Sequence, residues 1–214
     1  MRRSRLALKT WISLGVCASF AVGLGCATKT ELSGVWKADS AAVRPMDRIL
    51  VIGIGENDVK RRTFEDAFVA ALKEQGIDAV PSYRLLPSSD ELSKESIQQA
   101  ISGRGFQGVI TSRLVRIDEH QDYVPPKTYV SPSYYGRGLY GYYGRSYEVV
   151  HQPGYTVNTT IVRLETHLYD ASSAELLWAA HSGTTNPKSL DDGIASVTEK
   201  LAKQLAADGF APRK

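Results

Sequence analysis

The hydrophobic pattern of residues 46–76 predicts one strand and one helix. Residues 48–54 begin with an arginine and continue as an unbroken apolar run between Pro45 and Gly55, which is typical of a central strand covered on both faces. A helical stripe follows and stops at Gly76; it consists of Phe64, Phe68, Ala71 and Leu72. Thr63 and Asp66 have the spacing of a capping box and place the start of this helix.

The next segments repeat the alternation of strand and helix. Residues 77–83 predict a second strand, residues 93–101 a second helix, and residues 108–117 a third strand. Two consecutive strand–helix–strand units imply parallel pairing of the three strands. Right-handed connections then place both helices on one face of the sheet.

The second half of the chain has the two-residue period of a sheet with one solvated face. Apolar and polar side chains alternate over residues 161–169, which favours an antiparallel strand, and a turn leads from it into a second strand over residues 175–182. Ser189 and Asp192 then predict the capped start of a last helix that closes at Gly209.

These elements predict an α/β fold in the order β-α-β-α-β-β-β-α. The expected architecture is a mixed sheet of about five strands with the helices on one face and a long insertion between strands 3 and 4. Residues 46–210 have the size of a single domain, and residues 211–214 form a short tail.

The first 25 residues have the composition of an export signal. They open with four basic residues, Arg2, Arg3, Arg5 and Lys9, and residues 10–28 carry no charge. Gly23, Leu24 and Gly25 precede Cys26 in an order that resembles a bacterial lipobox, which implies cleavage before Cys26 and a lipid on its sulfur. An ordinary cleaved signal and an uncleaved membrane anchor remain open as alternatives.

Removal of the leader changes both the number of thiols and the net charge of the exported chain. Cys17 lies in the leader, so Cys26 is the only thiol that remains, and a lipid on it removes a free thiol from an oxidising compartment. Without the leader the chain has 22 basic and 23 acidic side chains, which removes the basic character expected of a nucleic-acid partner. Residues 26–45 are polar and small, and we expect them to form a lipidated tether.

Several short motifs carry a resemblance to a known family. They are Arg61, Arg62 and Glu65; Ser82 and Tyr83; Leu168, Tyr169 and Asp170; and Leu176, Leu177 and Trp178. Through them the chain resembles uncharacterised bacterial envelope lipoproteins, whose α/β domain is similar to the amino-terminal domain of TolB and to LpoB and CsgG. The resemblance implies a fold and a compartment, and Ala27 after the cysteine favours the outer membrane, facing the periplasm.

Catalytic and cofactor motifs are weak in this sequence. Gly53 and Gly55 begin a dinucleotide fingerprint, but Asp58 occupies the position of its third glycine. Arg61 with Glu65, and Arg62 with Asp66, have the spacing of surface ion pairs on a helix. We therefore expect no cofactor and no enzymatic activity.

The four histidines, His120, His151, His167 and His181, raise the possibility of a metal site. If the hairpin turns near Ser172, His181 lies opposite Arg163 and His167 opposite Leu177. The two histidines are then several residues apart along the sheet, with no cysteine or carboxylate cluster to join them. We therefore expect no metal.

The most distinctive segment is residues 123–155, which holds nine of the eleven tyrosines together with glycine and proline. We expect it to protrude, either as a loop, as an extended ribbon, or as a binding arm, because tyrosine offers a large amphipathic surface at low entropic cost. Its predicted binding residues are Tyr134, Tyr135, Arg137, Tyr140, Tyr142, Tyr143 and Arg145. Export argues against a nucleic-acid partner.

The function that fits these observations is that of a membrane-anchored envelope lipoprotein acting as a non-catalytic binding or scaffold module. The tyrosine-rich arm would contact an envelope protein, a glycan or another copy of the chain. Two alternatives stay open: an enzyme acting on cell-wall material with residues brought together only in the fold, and a subunit of an oligomeric envelope or secretion assembly.

Overall fold

A computed structural model describes residues 28–39, 42–55, 57–86, 88, 92–130 and 149–212. The strands are β1 (Lys29–Lys37), β2 (Arg48–Ile54), β3 (Asp78–Pro81), β4 (Gly108–Val124), β5 (Lys127–Val130), β6 (Val149–Gln152), β7 (Tyr155–Asp170) and β8 (Leu176–Thr185). The helices are α1 (Asp58–Glu74), α2 (Lys94–Ile101) and α3 (Leu190–Ala207), with a short 3-10 turn at Ser82–Arg84.

Six of these strands form one mixed sheet in the order β1-β8-β7-β4-β2-β3, and β5 pairs with β6. β2 is parallel to both β3 and β4, whereas β4, β7, β8 and β1 pair antiparallel in turn. The predicted α/β class and element order are therefore confirmed. The sheet has six strands rather than about five because β1 was not predicted.

The central strand β2 is buried on both faces, as its apolar run predicts. Ile49 and Val51 face the larger core cluster, which includes Phe68 of α1 and Leu201 of α3. Leu50 and Ile52 belong to a second cluster on the opposite face of the sheet.

The helices lie on both faces, which corrects the expectation that all of them share one face. Ile97 and Ile101 of α2 pack against the second cluster, whereas α1 and α3 pack on the first. The reason is the strand order: β3 and β4 flank β2 on opposite sides, so the two connections cross the sheet in opposite directions. A right-handed connection that reverses direction places its helix on the other face.

The segment predicted as a tether contains β1, an edge strand paired with β8. Lys29 lies opposite Thr185 and Lys37 opposite Trp178. Thr30 is buried, and its hydroxyl lies 2.8 Å from the hydroxyl of Thr184. The domain therefore begins within three residues of Cys26, and the predicted tether over residues 26–45 is wrong for its central part.

Two helix starts can be compared with their predictions. The side chain of Asn57 caps α1 by accepting from the Lys60 amide at 3.0 Å, so the cap lies six residues before Thr63, the predicted one. The Thr63 hydroxyl instead donates to the carbonyl of Val59. At α3 the predicted cap is confirmed: the Ser189 hydroxyl accepts from the Asp192 amide at 3.1 Å.

Candidate functional site

The most prominent feature beyond the core is a two-stranded ribbon that continues the sheet. β4 and β7 pair from Gly108 with Asp170 to Val124 with Tyr155, and their register shifts once, between Leu114 and Arg116. β2 accompanies β4 only to Arg113. We use the name ribbon for residues 114–124 of β4, which β2 does not accompany, and residues 155–160 of β7, which β8 does not accompany, together with the hairpin of β5 and β6.

Both long edges of the ribbon lack a neighbouring strand among the residues that the structure describes. β8 accompanies β7 only to Ile161. Asn186 then ends the ladder at Thr160, donating its amide to the Thr160 carbonyl and accepting the Thr160 amide on its side chain, both at 2.8 Å. Beyond Thr160 the backbone donors and acceptors on the outer sides of the ribbon are available to a partner.

Tyrosine side chains give the ribbon an aromatic surface. Tyr123 is 66% exposed, and Tyr129 and Tyr155 are each about half exposed. The Tyr123 ring lies directly over Gly154, where a β-carbon would collide with its hydroxyl oxygen. The glycine at position 154 therefore leaves room for the Tyr123 ring, which presents an amphipathic side chain on an exposed surface.

The predicted binding residues fall largely outside the part of the chain that the structure describes. These are Tyr134, Tyr135, Arg137, Tyr140, Tyr142, Tyr143 and Arg145, together with Cys26. The flanks of the predicted arm are described, and they form β5, β6 and the ends of β4 and β7. Of the interpretations of residues 123–155, the structure therefore supports an extended ribbon for both flanks.

An apolar groove of about 790 Å³ opens at the end of the sheet where the ribbon begins. Its floor is formed by Leu114 and Ile117 of β4 and by Val162 and Leu164 of β7. Phe64 from α1 and Ile194 from α3 form its walls, and Ile54 and Leu190 lie at its rim, each about half exposed. Sequence reasoning missed this site, because its apolar residues come from five separate elements.

The pair Arg61 and Glu65, predicted on the surface, is completely buried beside this groove. The guanidinium Nε donates to Glu65 Oε1 at 3.2 Å, and another of its nitrogens donates to the Leu86 carbonyl. Glu65 also accepts from the Gly53 amide at 2.9 Å and from the Ser82 hydroxyl at 2.7 Å. Because these donors surround the carboxylate, the pair holds α1, β2 and the turn after β3 together.

The second predicted pair, Arg62 and Asp66, encloses the ring of Tyr83. The Arg62 guanidinium lies 5.5 Å from the ring centroid, and the Tyr83 hydroxyl donates to Asp66 at 2.7 Å. Arg61, Arg62, Glu65, Ser82 and Tyr83, which carried the family resemblance, are thus one contact network. Their role in this structure is to join elements.

Two histidines lie closer together than the predicted hairpin register allows. His181 is opposite Glu165, and His167 is opposite Ala179. The register is displaced by two residues. Tyr169, next to the turn, pairs with Leu176, one residue beyond the predicted partner, and the register shift between Leu168 and Tyr169 adds the second residue.

Glu165 is the centre of the polar face that these histidines share. Its carboxylate pairs with Arg113 at 2.5 Å and with His167 Nε2 at 3.1 Å. Burial raises the pKa of Glu165, but the hydrogen bond and the charge of Arg113, together with the charges of His167 and His181, lower it overall. Within the described ranges, three or more histidine, cysteine or acidic side chains never come together in a way that could hold a metal ion.

Comparison with known proteins finds solved structures that align with this chain. No protein-family model and no curated protein matches it. Two structures of the PelC dodecamer from Paraburkholderia phytofirmans align with TM-scores of 0.44 and 0.42, at 13% and 14% identity, over 83% and 87% of this chain and 98% and 99% of theirs. The lipoprotein GNA1162 from Neisseria meningitidis aligns with a TM-score of 0.40, at 12% identity, over 75% of this chain and 98% of that one.

These similarities leave the site to be interpreted from its own geometry. The aligned structures include a lipoprotein and a dodecamer, and those properties belong to the proteins named. In this chain, none of the helices in the described ranges has the length and hydropathy needed to cross a bilayer. The ribbon and the apolar groove are the two surfaces that call for a functional explanation.

Proposed function

We propose that this chain is an envelope lipoprotein, anchored through a lipid on Cys26, that acts as a non-catalytic binding module. The observation that carries the proposal is the ribbon: two strands that leave the sheet with exposed tyrosines and with outer edges that pair with no other strand of the described ranges. The domain supports the ribbon, and the ribbon contacts the partner. The proposed location is the outer membrane, facing the periplasm.

The ribbon offers two modes of recognition at once. Its free backbone edges accept an additional strand, which is how many domains bind extended peptide segments. Tyr123, Tyr129 and Tyr155 add aromatic faces that pack on apolar groups or on the faces of sugar rings and that also provide hydroxyl groups. A protein segment or a glycan fits this combination.

The charges on the ribbon argue against a polyanionic partner. Asp118 pairs with Arg163 at 2.5 Å and with Arg116 at 3.0 Å, so both guanidinium groups already face a carboxylate. The hydrogen bond from Arg163 is the main reason that the pKa of Asp118 is lowered. A nucleic acid would have to compete with Asp118 for these cations.

Photocrosslinking in intact cells tests the proposal. A photoreactive phenylalanine analogue placed at Tyr129 should capture a partner, whereas the same group at Trp36 should not. Trp36 is the matched control because it is an aromatic residue with similar exposure on β1, away from the ribbon. Equal capture at both positions, or none at Tyr129, would reject the ribbon as the binding element.

A shortened ribbon separates binding from folding. Val124 lies directly opposite Tyr155, so residues 125–154 can be replaced by an Asn-Gly turn without disturbing the remaining ladder. We expect this variant to keep its unfolding transition and to lose the partner captured by the full-length chain. If the captured molecule is a second copy of the chain, the ribbon serves assembly, which is the oligomeric alternative from the sequence.

A further inference from the structure

Thr28 is held at the same end of the domain as the apolar groove. Its hydroxyl donates to the Asp192 carboxylate, and its carbonyl accepts from the Ser196 hydroxyl at 3.4 Å. The Asp192 carboxylate also accepts from the Lys188 amide at 3.0 Å. Thr28 is thereby fixed against the first turn of α3, whose Leu190 and Gly193 line the groove.

The distance between Cys26 and this contact is short. Two residues span at most about 7 Å even when fully extended. Because α3 holds Thr28 and β1 begins at Lys29, Ala27 is the one residue between Cys26 and this end of the domain. Acyl chains on Cys26 that are inserted in a bilayer therefore hold this end of the domain at the membrane surface.

This end of the domain is also where apolar side chains are most exposed. Val59 is 74% exposed, and Ile54, Leu114, Ile117 and Leu190 are each about half exposed around the groove. Exposed apolar groups that form one contiguous patch mark a surface that contacts another apolar phase. The anchor and the apolar patch thus share one side of the molecule.

Two of the cations near the patch already face carboxylates. Lys29 pairs with Glu31 at 2.7 Å, and the guanidinium of Arg61 faces Glu65 and Asp58. A third cation, Lys60, lines the groove itself, so the surface combines apolar side chains with an ammonium group suited to the head-group region.

We propose that the apolar groove and its rim rest on the membrane, with phospholipid acyl chains as the occupant. The inference rests on the proposed lipid at Cys26 and adds an orientation: the rim of the groove faces the bilayer. The groove supplements the lipid anchor, so each apolar side chain buried in the bilayer strengthens membrane association.

A depth measurement on the full lipidated chain tests this orientation. Leu190→Cys and Val35→Cys are each labelled with an environment-sensitive fluorophore, since acylation leaves no other thiol in the exported chain. Val35 is the matched control because it is an exposed apolar residue six positions after Lys29 along β1, about 20 Å from the groove end. The proteins are reconstituted in vesicles of phosphatidylethanolamine and phosphatidylglycerol containing a nitroxide-labelled lipid.

We expect nitroxide quenching at position 190 to exceed quenching at position 35 by several-fold and to persist at high salt. Equal quenching in chains whose mass shows the lipid on Cys26 would overturn the orientation while leaving the anchor intact. Disulfide-linked dimers through Leu190→Cys on the vesicle surface would identify a second copy as the occupant and would also overturn it. A mass without lipid would overturn both the anchor and the orientation.

Discussion

The carboxylate of Glu65 accepts a hydrogen bond of 2.7 Å from the hydroxyl of Ser82, 17 residues further along the chain, and both residues are fully buried. The second carboxylate oxygen accepts from the Tyr83 amide at 3.0 Å. Glu65 therefore fixes the turn after β3 against α1. This contact joins the segment of Arg61 and Glu65 to the segment of Ser82 and Tyr83.

Replacing Glu65 by glutamine should destabilise the domain strongly. Glu65→Gln keeps the side-chain shape but leaves the buried Arg61 guanidinium without its buried carboxylate partner. Breaking a buried ion pair from one side costs about 3–5 kcal/mol. Urea unfolding of the domain measures the change in the free energy of unfolding.

Asp66→Asn is the matched control for this variant. Asp66 is on the same helix, is exposed, and accepts one hydrogen bond from Tyr83 at 2.7 Å. Its substitution should change the free energy of unfolding by at most about 1 kcal/mol. If both variants lose a similar amount of unfolding free energy, burial of the pair Arg61 and Glu65 adds nothing to its contribution to stability.

The stability of the domain should depend on pH through Asp170. Burial raises the pKa of this carboxyl, but hydrogen bonds from the Ser172 hydroxyl, from the Ser173 and Ser172 amides and from Arg44 lower it to about 2. A carboxyl whose pKa is lower in the folded state stabilises the fold above its unfolded pKa, and this contribution disappears as the pH falls through the folded pKa. The shift from 3.8 corresponds to about 2 kcal/mol.

Asp170→Asn isolates this contribution. At neutral pH the variant should be less stable than the natural protein by about 2 kcal/mol, and the difference should shrink between about pH 4 and pH 2. Denaturant titrations across this range give both values. A difference that stays constant down to pH 2 would contradict the role of the Asp170 charge.

Removing the first strand should unfold or severely weaken the domain. A chain that begins at Ala38 loses the whole ladder between β1 and β8 and the packing of Leu32 against the core. A chain that begins at Thr28 keeps both. If the shorter chain has the same unfolding midpoint as the longer one, β1 is a tether after all.

Trp178 should be sensitive to a conservative substitution. Its ring is fully buried, and its indole N–H donates to Asp208 at 2.8 Å. Trp178→Phe removes this donor and leaves unfilled volume, so we expect a loss of about 1–3 kcal/mol in thermal or urea unfolding. Trp36→Phe on the exposed part of β1 should have little effect, and equal effects would contradict the packing described for Trp178.

The elements predicted best from the sequence are those whose own residues carry the signal, either as a pattern of buried positions or as a local cap. The apolar run of β2, the alternation in β7 and the cap at Ser189 each reflect a local contact that the structure contains. A local burial pattern does not reveal β1, because Thr30 is its only buried residue and the strand is held by backbone pairing with β8. An edge strand of this type leaves little hydrophobic period to detect.

The remaining differences come from contacts between distant segments. The spacing of Arg61 and Glu65 is the same in a surface pair and in a buried one, and the burial depends on Ser82 and Leu86. The side on which α2 packs depends on which side of β2 the strand β4 joins. The ribbon is the part of the candidate site that the sequence indicates, whereas the apolar groove requires the fold.

The mass of the amino-terminal peptide of the mature protein, isolated from cell envelopes, tests the anchored-module account most directly. The account predicts a chain that begins at Cys26 and carries fatty-acyl groups on it. A chain that begins elsewhere, or an unmodified Cys26 thiol, would contradict it.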